Sequence, residues 1–215
     1  MRKITIAITL VVTLVLVASG ILILQVLTAY DAGYPKVYIY SDGNVEPSAT
    51  PINCNGNLYS LQSDIEVYKL FIEKSNIILD GNGFSLEIVS PHISKVGPEI
   101  GSIELSNVNK VTLKNLNTGY RDEPYKDVPG AKLIFENCAF CEALNNTVQS
   151  ININNCHDIH VSENTVFQAG SDGGIIKLTD STNCTITFNT LKEVHLYNSP
   201  ENTIRDNILD NVITF

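Results

Sequence analysis

The side chains best suited to recognise a ligand are His92, Glu99, Tyr120, Arg121, Asp122, Glu123, Tyr125, Lys126, Asp127 and Asp172, and all sit in stretches that interrupt a repeat. Tyrosine rings stack on flat apolar surfaces, and carboxylates with an arginine bond hydroxyl groups, so this set suits sugar rings in an extended groove. Lys177 and His195 lie in adjacent repeats and could reach the same ligand. Asp172 and Asp180 with Lys177 form the one nearby acid–base trio, and no cluster of aspartates accompanies it. Cys138 and Cys141, with Cys156, Cys184, His157 and His160, are the residue types of a metal site.

What positions these groups is a repeat. Residues 176–191 and 194–209 match without a gap: Ile176, Leu178, Asp180, Ser181, Ile186, Asn189 and Leu191 fall on Val194, Leu196, Asn198, Ser199, Ile204, Asn207 and Leu209. The same register runs upstream through Ile151 and Ile153, Leu133 and Phe135, Ile103 and Leu105, and, with one deletion, Leu70 and Ile72. Six copies cover residues 70–209, and Val212 begins a seventh. Apolar positions alternate over three short segments per copy, which reads as three strands with one face inward. The composition, rich in Asn, Thr, Ile and Val, fits short strands joined by tight turns. Three strands in about 16 residues are too closely joined for hairpins, so each copy suits one coil of a stack with a rise of about 4.8 Å. Leu105, Phe135, Ile153, Leu178 and Leu196 then form one inward column, and Leu79, Leu113, Ala143, Val161, Ile186 and Ile204 another.

Residues 76–83, Asn-Ile-Ile-Leu-Asp-Gly-Asn-Gly, together with these coils, resemble the right-handed parallel β-helix repeat superfamily of pectate lyases and NosD-like surface proteins. The likeness covers about residues 37–215 and implies an all-β, single-stranded right-handed parallel β-helix, with an N-terminal transmembrane helix added by the sequence itself. It is specific for fold and weak for function, because this fold hosts many chemistries. Polysaccharide lyases of this kind combine calcium-binding carboxylates with a basic residue, and its glycosidases use clustered Asp. An enzyme reading would therefore rest on Asp172, Lys177 and Asp180 and call for calcium; otherwise no cofactor is expected. The NosD likeness implies a copper-related role resting on His157 and His160, although His160 points outward and His157 sits in a turn.

In this register Asn82, Asn146, Asn164, Asn189 and Asn207 share a column, with Leu116 in the second coil. Asn tolerates the left-handed backbone of a corner and can bond its stacked neighbour, so the column is structural. Cys138 and Cys156 share an inward column with Val108 and Ser181, and Cys141 and Cys184 share one with Val111 and Ile159, which favours packing over metal. A disulfide between Cys138 and Cys156 is near the short end of its Cα range at this spacing. Asn145 and Asn183 begin glycosylation sequons.

Insertions follow Phe84, Thr118 and Val166, at one corner of the coil, and must leave from a single edge. Loops gathered on a rigid scaffold are the usual place for binding residues. The ligand-binding expectation is therefore His92, Glu99, Tyr120, Arg121, Asp122, Tyr125, Asp172 and His195, with polysaccharide or cell-envelope glycan as partner. A structural or adhesive surface repeat is the reading that needs no ligand.

Residues 4–28 carry no charge and are nearly all apolar, enough for a bilayer-spanning helix. Ala18-Ser19-Gly20 offers a cleavage site, but an uncleaved signal anchor fits the long apolar run better. Arg2 and Lys3 place the tip, residues 1–3, in the cytoplasm and the rest outside a single-pass membrane anchor. Setting those two aside leaves 23 acids against 12 bases, a sign that repels nucleic acid. Residues 29–69 read as a cap on the first coil and 70–215 as the repeats. The chain stops inside a repeat, which reads either as a fragment of a longer protein or as an end that docks on a partner or a second copy.

Overall fold

The computed structural model of this chain describes residues 35–88, 93–94, 97–98, 101–120, 130–167 and 173–215. The proposed membrane segment, residues 4–28, lies outside them. Among the described residues the regular elements are all strands, and no helix is long and apolar enough to cross a membrane.

The strands of the coils fall into three sheets visited in rotation, and a separate two-stranded antiparallel sheet pairs Ile93–Ser94 with Gly97–Pro98. Lys69–Ile72 belongs to the first face, Ile78–Asp80 to the second and Ser85–Ile88 to the third. The chain then returns to the first face with Gly101–Ser106, the second with Thr112–Lys114 and the third with Asn117–Tyr120. Successive visits pair in parallel, Ile153 with Leu178 and Leu178 with Leu196 on the first face, Val161 with Ile186 and Ile186 with Ile204 on the second. The described residues are thus all-β, with parallel sheets stacked coil on coil, an arrangement compatible with a β-helix-like solenoid.

Alternation explains why these segments settle as strands. Ala131–Glu136 buries Ala131, Leu133 and Phe135 while Lys132 and Ile134 are only half-buried on the other side. Register follows from the same period of two, because a slip by one residue would turn the aliphatic column outward. The core runs through the interior of the three faces and includes Ile72, Leu105, Phe135, Ile153, Leu178, Leu113, Val161 and Ile186.

Residues 36–67 supply a strand to each face: Lys36–Ile39, Leu58–Leu61 and Ile65–Val67. Two antiparallel strands lie at the outer edge of this coil, Val45–Glu46 on Lys36–Ile39 and Ile52–Asn55 on Leu58–Leu61. Reversed strands of this kind occupy backbone groups that a bare edge would offer to another chain.

The corners show where the asparagine reading needs correction. Asn146, Asn164 and Asn189 are buried, and each side-chain oxygen accepts the backbone N–H of the preceding coil, from Leu116, Asn146 and Asn164 respectively, at 2.9 Å. None of them is left-handed, and that conformation belongs to the residue before: Asn145, Glu163, Phe188 and Asp206, with φ of 52°, 61°, 56° and 58°. The turn is made first, and the Asn side chain then points into it. Asn82 leaves the buried column: it is exposed, has φ of 52° itself and donates to the Leu61 carbonyl. Two further left-handed positions recur in the connection from the first face to the second in the five coils from Gly101 onward, Asn107, Asn137, Asn155, Asp180 and Asn198 first and Lys110, Phe140, Asp158, Asn183 and Glu201 three residues later, and Asn76 is left-handed in the same connection of the coil before.

All five cysteines are free thiols, four of them buried and Cys54 exposed. The Cys138 N–H donates to Cys156 Sγ at 3.3 Å, the Cys156 N–H to Ser181 Oγ at 3.1 Å and the Ser181 N–H to Ser199 Oγ at 3.1 Å. Small side chains here repeat the service that asparagine performs at the other corner. Burial pushes the Cys184 thiol up, and hydrogen bonding to Cys138 together with burial does the same for Cys141 and Cys156.

Candidate functional site

The outward side of the first face carries its functional groups in columns. Phe71, Glu104, Ile134, Asn152, Lys177, His195 and Ile213 are successive register partners along one column. Lys69, Ser102, Lys132, Ser150, Ile175 and Glu193 form the neighbouring column. Where Ser150 and Asn152 place short side chains between longer ones, the surface sinks into a depression of about 380 Å³ lined by Lys132, Ser150, Asn152, Ile175, Lys177, His195 and Tyr197.

Each wall has a physical reason for its posture. Lys177 Nζ stands 4.7 Å from the centroid of the Tyr197 ring, a cation held by an aromatic face. Tyr197 stacks on Phe215 with centroids 4.4 Å apart and planes within 2°. His195 Nε2 lies 2.8 Å from Glu193 Oε2, and Lys192 Nζ lies 3.4 Å from Glu193 Oε1. The hydrogen bond with His195 and the charge of Lys192 hold the Glu193 carboxyl below its ordinary range. The Ser150 hydroxyl is buried and has no hydrogen-bond partner. At the other end of the face, Tyr38 stacks on Phe71 at 4.8 Å and on Tyr40 at 5.4 Å, while Lys69 pairs with Glu104 at 3.1 Å.

Each insertion lies in the chain between a strand of the third face and a strand of the first. Strands Ser85–Ile88, Asn117–Tyr120 and Thr165–Val166 all belong to the third face, and the strands that follow each insertion, Gly101–Ser106, Ala131–Glu136 and Ile175–Thr179, all belong to the first. Lys132 and Lys177 therefore sit on strands that directly follow an insertion. His92, Glu99, Arg121, Asp122, Glu123, Tyr125, Lys126, Asp127 and Asp172 lie outside the described residues, and Tyr120 is placed only as the end of strand Asn117–Tyr120.

The remaining candidates are dispersed. Asp180 is an exposed corner residue that accepts a hydrogen bond from Asn198 Nδ2 at 2.6 Å. His160 is half-buried on the second face, paired in register with Glu142 and Thr185. His157 is exposed at a corner, 2.8 Å from Asp158 and edge-on to Phe140 at 5.3 Å. Among the described residues no three His, Cys, Asp or Glu side chains are gathered closely enough to hold a metal ion. Asn145 and Asn183 are exposed left-handed corner residues, bonded to Asn115 and Asp158 respectively.

Comparison of the chain with protein-family models, with curated proteins and with solved structures found no match. The site therefore has to speak through its own chemistry. A depression lined by lysines, an amide, a hydroxyl and an aromatic ring can bond polar groups and stack on a flat face of a ligand. Reading the sequence alone picked out Lys177 and His195 but not Lys132, Ser150 or Tyr197. The available signal was the pair of short side chains, Ser150 and Asn152, aligned with the longer Lys132, Ile134, Ile175 and Lys177 on either side.

Proposed function

We propose that this chain is a membrane-anchored, extracytoplasmic right-handed parallel β-helix that binds polysaccharide or cell-envelope glycan along its first face. The observation that carries the reading is the depression lined by Lys132, Asn152, Lys177, His195 and Tyr197, on the face whose strands follow all three insertions in the chain. Its groups supply what a sugar needs: donors for hydroxyls from Asn152 and the lysines, and an aromatic edge from Tyr197. Anchoring rests on residues 4–28, and orientation on Arg2 and Lys3. The handedness and the superfamily rest on the resemblance of residues 76–83 and of the repeated coils.

The test is a glycan array probed with the full chain in detergent, followed by incubation of the retained glycans with the protein. Retention without new reducing or unsaturated ends supports binding as the function. New ends would replace it with a lyase or hydrolase at the same face, and no retention on any glycan overturns the reading.

A further inference from the structure

We propose that Asn55 is a site of spontaneous deamidation, and that the isoaspartate formed there releases the hairpin covering the outer edge of the second face. The sequence holds two Asn-Gly pairs, Asn55-Gly56 and Asn82-Gly83. A glycine after asparagine has no side chain to hinder its backbone nitrogen, which can then attack the asparagine side-chain carbon. Both pairs are exposed, and it is the fold that distinguishes them. Asn82 is held: its side-chain amide donates to the Leu61 carbonyl at 3.1 Å, its N–H donates to Asp80 Oδ1 at 2.9 Å, and the Phe84 N–H closes the turn on the Gly81 carbonyl at 2.9 Å. Asn55 ends strand Ile52–Asn55, and Gly56, with φ of 62°, and Asn57 make the two-residue turn into Leu58–Leu61. That strand is the last of its sheet, and residues 53–58 are all exposed. A terminal strand frays at lower cost than one paired on both sides, so opening of the tip brings Gly56 N to Asn55 Cγ.

The reaction needs only water. Gly56 N gives its proton to solvent base and bonds to Asn55 Cγ, the Cγ–Nδ2 bond breaks, and the amide nitrogen leaves as ammonia with a proton taken from solvent. The product is a cyclic imide, which water opens at either carbonyl. Opening at Cγ leaves an aspartate. Opening at the backbone carbonyl leaves an isoaspartate, whose main chain runs through Cγ and is one carbon longer. The partners Asn55 and Leu58, and Cys54 and Tyr59, then fall out of step across the hairpin. Either product also places a carboxylate where the amide stood. Losing Ile52–Asn55 bares one edge of Leu58–Leu61, whose other edge pairs with Ile78–Asp80, and a bare edge is a template for another chain.

Incubation of the full chain in detergent at mildly alkaline pH, beside a synthetic peptide of residues 52–61, tests this by peptide mapping in a mass spectrometer. Isoaspartate is scored by methyl transfer from S-adenosylmethionine with an isoaspartyl methyltransferase. The expected result is conversion of Asn55, isoaspartate included, about tenfold faster than conversion of Asn82. In the converted protein the amides of residues 52–61 exchange hydrogen faster, while those of Ile153 and Leu178 keep their rates. Asn55→Gln, at an exposed position, abolishes the methylation at this peptide and keeps the exchange of residues 52–61 constant through the incubation. Equal rates at Asn55 and Asn82, or an intact Asn55 after the free peptide has converted, overturns the site. Unchanged exchange across residues 52–61 after conversion overturns the release of the hairpin.

Discussion

The side-chain oxygen of Asn189 accepts both the backbone N–H and the side-chain amide of Asn164, each at 2.9 Å, while its own amide donates to the carbonyls of Val161 and Thr187. The same pattern links Asn146 to Asn164 and Asn189 to Asn207, so the bonds form a continuous line up one corner. Asn189→Leu keeps the volume but strands buried donors and acceptors in two coils. We expect a loss of about 3 kcal/mol in unfolding free energy, read as a lower Tm, with unchanged affinity for any ligand of the first face. An unchanged Tm would contradict the line of bonds.

Phe188 holds φ of 56° with 59% of its surface exposed. A left-handed backbone costs an ordinary residue roughly 1 kcal/mol, and an exposed ring recovers little of that. Phe188→Asn should therefore raise stability by about 1 kcal/mol in a denaturant titration. A loss would show that the ring packs on something its exposure does not reveal.

Cys54 is exposed, whereas Cys138, Cys141, Cys156 and Cys184 are buried along the inner columns. A thiol reagent added to the folded protein should label Cys54 alone, and the other four should react only as the protein unfolds. Mass spectrometry counts the labels, and rapid native labelling of Cys138 or Cys156 would be inconsistent with their burial.

Burial works to raise the Asp80 carboxyl, but bonds from Asn115 Nδ2 at 3.0 Å, the Asn82 N–H at 2.9 Å and Lys114 Nζ at 3.0 Å outweigh it and leave it below its ordinary value. A carboxyl lowered in the folded state stabilises above its unfolded range, and that support is lost as pH falls through the folded value. The protein should lose stability below about pH 4, and Asp80→Asn should flatten that acid limb. Superimposable acid limbs for the two proteins would exclude this contribution.

The stack was legible because two periods coincide in the sequence. Alternation set the side of each residue, and the repeat set its neighbour, so Leu178 could be placed on Leu196 and Val161 on Ile186 before any coordinates. The shared corner of the insertions followed from the same register. Three features were not legible. The left-handed residue is one place before each buried Asn, because the ladder needs the asparagine side chain turned inward after the bend, and the identity of Glu163 or Phe188 gives no sign of it. The coil built by residues 36–67 was obscured by its antiparallel strands, which break the repeat spacing. The depression depends on side-chain lengths across three columns, and a reading that asked only inward or outward treated Ser150 and Asn152 as ordinary positions.

Ligand contact at the first face is what distinguishes a binding protein from a purely structural repeat. The most direct measurement is amine acetylation of the full chain with and without a saturating glycan retained on the array, read lysine by lysine. Selective protection of Lys132 and Lys177, with Lys110 and Lys114 labelled as before, is the predicted result; protection spread evenly over all four, or confined to Lys110 and Lys114, would contradict it.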